Sequence, residues 1–183
     1  MNKISLLLAS GFFCLCPILY GQQAAVTTLS DDETVLKSLP RLTLPPEYGT
    51  RPLPAAKDNS RIKYFSGVYN QTGWSCNQAG SIWTMFTYEI NYLRALNSLA
   101  VDNQYNPMSI FNLLNQRNGF QGVTYFDSWK VIQANGIPGN ADYPTNNLSQ
   151  QTWMTGYDRY YHAMKNRVDQ VYAIDVGSEE GLL

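Results

Sequence analysis

From Ser75 to Leu96 the chain carries one long amphipathic pattern with almost no charge in it. Ala79, Trp83, Phe86, Ile90 and Leu93 recur at spacings of three and four, and Ile82 widens the stripe. That periodicity predicts a helix with one apolar face. Its charges, Glu89 and Arg94, come late, and a helix so poor in charge is expected to be covered on most sides. The rest of the chain must therefore supply walls around it. Shorter helices are predicted over Met108–Asn115, after Pro107, and over Tyr125–Ala134, where Phe126, Trp129 and Ile132 are apolar and Asn135-Gly136 is a stop signal. A longer one is predicted over Thr152–Tyr172, through Tyr157, Tyr161, Met164, Val168 and Val171.

These helices do not start at the beginning of the chain. Residues 1–21 have one early positive charge at Lys3, an apolar run from Ile4 to Tyr20 and the small residue Gly21 at the exit. This is the pattern of a secretory signal peptide. Pro17 and the shortness of the run argue against a membrane anchor, which needs about 20 apolar residues. Cleavage near Gly21 removes Cys14 and Cys16 and leaves Cys76 as the mature chain's thiol, in a secreted, periplasmic or extracellular protein. Residues 22–60, broken by Pro40, Pro45, Pro46, Pro52 and Pro54, are predicted to be extended, with at most a short helix around Asp31–Lys37. Residues 61–183 form the domain. At its end, Ser178-Glu179-Glu180 reads as the start of a further helix, so the domain is expected to be incomplete at its C-terminus.

Composition excludes several classes of function. Thirteen Lys and Arg against fourteen Asp and Glu give a net charge of −1, which offers no basic field for nucleic acid. One histidine in 183 residues excludes a multi-histidine metal site. No phosphate-binding glycine motif is present, and no cofactor is expected.

Chemistry points instead to the head of the first helix. Ser75-Cys76-Asn77-Gln78 has the spacing of a capping box, with Ser75 at the N-cap and Gln78 reaching back. Cys76 then stands in the first turn, where unpaired N–H groups and the helix dipole favour a thiolate. The preceding loop brings the Gln71 amide to the same place, so that Gln71 and the Cys76 backbone N–H could hold a developing oxyanion. On local chemistry two readings stay open, an activated nucleophile and an inert buried cysteine.

Val68-Tyr69-Asn70-Gln71-Thr72-Gly73-Trp74-Ser75-Cys76, followed by a long aromatic helix, resembles the nucleophile segment of papain-like cysteine peptidases, in the manner of divergent bacterial exported members. Pro107-Met108-Ser109-Ile110-Phe111, Asn118-Gly119-Phe120-Gln121-Gly122, Gln133-Ala134-Asn135-Gly136-Ile137 and Asp142-Tyr143-Pro144 follow in the family's order. The resemblance covers about residues 60–145. It implies a mainly α chain within an α+β papain-like fold, namely the helical half, with the β-rich half largely absent. It also implies proteolysis of a peptide or protein substrate, with Cys76 as nucleophile and Gln71 in the oxyanion hole. Gly119 and Gly122 would form a backbone edge for substrate. Two departures stand out: Gln71 and Cys76 are one residue closer than is usual, and Asn77 replaces an aromatic residue.

The family's base histidine would lie ~130–150 residues beyond the cysteine, past Leu183. His162, the chain's imidazole, is predicted to sit on a polar helix stripe with Asp158, Arg159, Lys165 and Asn166, so this chain is expected to be inactive as a peptidase alone. The membrane is met through the signal peptide only. The face normally packed on the β-rich half is expected to promote self-association. The alternatives are an inactive papain-like module, or an aromatic-rich extracellular module that grips protein or glycan through Trp74, Trp129, Trp153 and Tyr157, Tyr160 and Tyr161. A cell-wall amidase type of thiol hydrolase also starts a helix with cysteine, but lacks the Asn-Gln lead-in.

Overall fold

The computed structural model describes residues 33–43, 56–116 and 120–174. The signal peptide, Gly119 and the Ser178-Glu179-Glu180 segment lie outside them. The described chain is mainly helical: α1 (Glu33–Ser38), α2 (Cys76–Gln78), a π-helical run (Ala79–Phe86), α3 (Thr87–Arg94), α4 (Met108–Leu114), α5 (Tyr125–Asn135) and α6 (Tyr157–Ala163). Short 3-10 turns cover Asn59–Arg61, Val101–Asn103 and Met164–Asn166. Among the described residues the β contact is a single parallel bridge between Arg41 and Ala173.

The long pattern from Ser75 does fold as one helical run, α2 through α3, and buries Ile82, Trp83 and Phe86 as its spacing predicts, but its later part turns a different face inward. Over Ala79–Phe86 the hydrogen bonds widen to i+5, and both the backbone N–H and the hydroxyl of Thr87 reach the Ile82 carbonyl. Wider turns take more residues each, so the later part of the helix is rotated. Thr87 and Asn91 are buried, and Leu93 is 77% exposed. The expectation of cover on most sides therefore fails, since Met85, Tyr92 and Leu96 are exposed as well. Ala95 ends the run in the left-handed conformation (φ 55°), with the Leu96 N–H closing onto the Asn91 carbonyl.

The helix covered on most sides is α4. Ile82, Phe86, Tyr105, Ile110, Ile132 and Ile137 form one apolar cluster; Met108, Phe111, Val123, Tyr143, Met154 and Ala163 form another. Ile110 of α4 enters the first, Met108 and Phe111 enter the second, and Leu114 packs on both. Such cover brings polar side chains inside, where each needs a partner. Asn112 is fully buried and donates to Tyr143 Oη (3.1 Å), the Ser149 carbonyl (2.7 Å) and the Thr152 carbonyl (2.9 Å). Asn106 donates to the carbonyls of Pro144 and Asn147, and Asn115 to that of Gln150. These amides staple the 144–152 loop onto α4. Asn112→Leu keeps the volume and leaves the Ser149 carbonyl without its donor, so it is expected to cost about 2–4 kcal/mol. Urea unfolding measures this, and a loss under about 1 kcal/mol would show that the loop does not rest on Asn112.

The long helix predicted over Thr152–Tyr172 is also corrected. It begins only at Tyr157, after Gly156 (φ 106°), and α6 gives way at Met164 to a 3-10 turn. The cause is tertiary. The Ile137 N–H bonds to the Asn166 carbonyl (3.3 Å), while Asn166 Nδ2 returns a bond to the Ile137 carbonyl (2.9 Å). This pairing draws the chain off the helix axis, and Arg167 is extended. Beyond it, Ala173 pairs with Pro40 and Leu42. Of the predicted apolar stripe, Tyr157, Tyr161 and Met164 are exposed, while Val168 packs on the first cluster.

Candidate functional site

Cys76 opens α2, half-buried and free. The capping box predicted around it does not form. Ser75 makes no side-chain cap; its hydroxyl donates instead to the Thr72 carbonyl (2.8 Å). Gln78 does not reach back either. It is fully buried, and its Nε2 donates to the Val123 carbonyl (3.2 Å) and to Ser128 Oγ (2.8 Å). Asn77 Nδ2 donates to the same Val123 carbonyl (2.9 Å). The contact with the 122–124 segment outweighs the local cap because two buried amides find their acceptors there. It joins the turn carrying Cys76 to the segment containing Gly122.

The loop before Cys76 is held at both ends. At its start, Ser66 Oγ donates to the Trp83 carbonyl (2.8 Å), and Trp83 Nε1 donates to the Gly67 carbonyl (2.9 Å). The Tyr69 ring packs against the Trp83 indole, with centroids 4.9 Å apart and planes tilted by 36°. At its end, Ser75 holds Thr72, Trp74 packs on the second apolar cluster, and Gly73 (φ 60°) lies against the Gln150 side chain. Between these anchors Asn70 and Gln71 are exposed. Of the glycines implied in substrate binding, Gly122 is buried and Gly119 lies outside the described residues.

His162 is on α6, about half exposed, with Nδ1 3.3 Å from both carboxylate oxygens of Asp142. The partner is thus Asp142 rather than the predicted neighbours on its own helix. No hydrogen bond or ion pair among the described residues joins His162 to Cys76. The phenols of Tyr69 and Tyr143 are not substitute bases. Burial, with a smaller contribution from Tyr143, pushes Tyr69 up to about 12. Burial also raises Tyr143, although the Asn112 hydrogen bond opposes it. Both stay protonated at neutral pH. Among the described residues no three His, Cys, Asp or Glu side chains gather to hold a metal ion, and no helix is long and apolar enough to cross a membrane. A small apolar pocket lined by Ile110, Leu113, Gly136, Pro138, Met154 and Tyr160 includes no residue of the Cys76 loop.

Sequence reasoning missed Trp83, Ser66 and Gln150 as partners of this loop. A signal existed for one of them: a buried tryptophan needs an acceptor for its indole N–H, and a glycine-containing loop with exposed carbonyls offers one. Comparison with family models, curated proteins and solved structures returns no match.

Proposed function

We propose that the chain is the helical half of an exported papain-like thiol hydrolase. Such a hydrolase attacks peptide carbonyls through Cys76, with Gln71 Nε2 and the Cys76 backbone N–H holding the oxyanion, and this chain supplies those groups without the base that amide turnover needs. The observation that carries this reading is the hydroxyl of Ser75. Turned toward Thr72, it does not cap the first turn, so the positive end of the helical run is left to an anion beside the thiol. In the reaction, the thiol proton passes to solvent, the thiolate sulfur bonds to the carbonyl carbon and the carbonyl electron pair moves onto oxygen. Collapse then breaks the bond to the leaving group and leaves a thioester on Cys76. Peptide segments of proteins are the substrate, met outside the cell after cleavage near Gly21. Met85, Tyr92 and Leu93 are exposed and supply apolar surface through which copies associate.

Modification by a peptidyl vinyl sulfone tests the reading, followed by mass spectrometry. Folded protein is expected to react at Cys76 on the order of tenfold faster than urea-unfolded protein, since orientation alone can supply that much. Equal rates would remove the activated nucleophile.

A second reading, a module that grips protein or glycan, is favoured by one surface. Tyr157 and Tyr161 lie near-parallel on α6 with centroids 6.4 Å apart, 82% and 55% exposed. Ligand binding lost in Tyr157→Ala but kept in Cys76→Ala would select it.

A further inference from the structure

We propose that Trp83 is the positioning residue for Gln71: it clasps the start of the 66–75 loop onto the same helical run that begins at Cys76. The inference rests on the reading of Gln71 as an oxyanion donor and adds what sets its position. Ser66 Oγ donates to the Trp83 backbone carbonyl, the Trp83 indole N–H donates to the Gly67 carbonyl, and the Tyr69 ring packs against the indole at a 36° tilt. Backbone, indole N–H and ring of one residue are therefore all engaged by one short stretch of chain. Trp83 itself is buried, and its indole hydrogen bond is part-buried. The other end of the loop is fixed by Ser75 on Thr72 and by Gln150 against Gly73. Asn70 and Gln71 form the exposed span between two anchors. With the helix carrying both Cys76 and Trp83, nucleophile and oxyanion donor share one rigid reference.

The clasp makes a prediction that general stability does not. Iodoacetamide alkylates sulfur by displacing iodide and places no charge on a carbonyl oxygen. An activated ester, p-nitrophenyl acetate, acylates sulfur through a tetrahedral oxyanion and releases nitrophenolate. The ratio of the two rates at Cys76 therefore reports oxyanion stabilisation and cancels changes in thiolate content. One oxyanion donor is worth about 10²–10³ in rate, so loosening it is expected to lower the ratio about tenfold or more.

The experiment measures both rates by mass spectrometry on the full chain and four variants. Gln71→Ala sets the full loss. Trp83→Phe removes the indole N–H and keeps an aromatic ring; Ser66→Ala breaks the reciprocal bond and leaves Trp83 untouched, which serves if Trp83→Phe does not fold. Tyr69→Phe keeps the ring and removes only a buried hydroxyl that has no hydrogen-bond partner, so the parent ratio is expected to persist. A ratio lowered in Gln71→Ala, in Ser66→Ala and in every folded Trp83 variant, with alkylation unchanged, supports the clasp. A ratio lowered in Gln71→Ala but unchanged in Ser66→Ala and Trp83→Phe overturns the clasp alone. A ratio unchanged in Gln71→Ala overturns the oxyanion assignment, and the clasp with it.

Discussion

Gly136→Ala is expected to bring the protein close to unfolding, through a clash with backbone rather than with side chain. Gly136 closes α5 at φ 76° and ψ −172°, a region essentially reserved for glycine and costing about 1–3 kcal/mol for other residues. A Cβ there would stand 1.9 Å from the Ala163 carbonyl oxygen, 2.6 Å from its carbon and 3.1 Å from Met164 Cα. None of these atoms can rotate away as a side chain would. They belong to the turn where α6 ends and Asn166 pairs with Ile137, so relief would separate α5 from α6. Overpacking adds about 1–3 kcal/mol, and the sum is a large part of a total stability of about 5–15 kcal/mol. Thermal unfolding followed by circular dichroism should show a fall on the order of 10 °C or more. Gly139→Ala is the control, because nothing lies within 4 Å of a Cβ there, and its midpoint is expected to stay near the parent's. Equal midpoints for the two variants would contradict the close approach of α5 and α6.

The second large effect is a difference between esters and amides. With activated esters, Cys76 is expected to be acylated once, as a burst of about one equivalent. With an unstructured protein substrate, no amide turnover is expected. An amide leaving group needs a proton as its nitrogen departs, and general acid–base help is worth about 10²–10⁴ in rate. His162 is held by Asp142 on α6, and Tyr69 and Tyr143 have been driven away from neutral titration. His162→Ala should therefore leave ester acylation unchanged, while Cys76→Ala should abolish it. Robust protein cleavage by the parent, lost in both variants, would make His162 the base and reverse this account.

Local chemistry was enough for the helices whose ends are marked by their own residues. Thr124 caps α5 by accepting from the Asp127 N–H, and Asn135-Gly136 ends it, as the spacing and stop signal predict. α4 follows Pro107 within a residue of its predicted end. The start of the helical run at Cys76 is equally legible. The loop of Asn70 and Gln71 leading into the helix and the single imidazole are also readable from order and composition alone.

Where an element depends on a distant partner, the same reasoning goes wrong. The stripe from Ala79 to Leu93 assumes one helical period, and the π-helical turns at Ala79–Phe86 replace Leu93 on the inner face with Thr87 and Asn91. A helix through Tyr172 satisfies periodicity, yet Asn166 on Ile137 stops it. Ser75 and Gln78 have the spacing of a cap, yet Thr72 and Val123 take their hydrogen-bonding groups. For Asn166 and Gln78, a buried amide takes a partner far along the chain, Ile137 and Val123, in place of a local one. Sequence distinguishes the local one only. Which partner wins depends on the burial of both groups together, and that exists only once the tertiary structure has closed around α4.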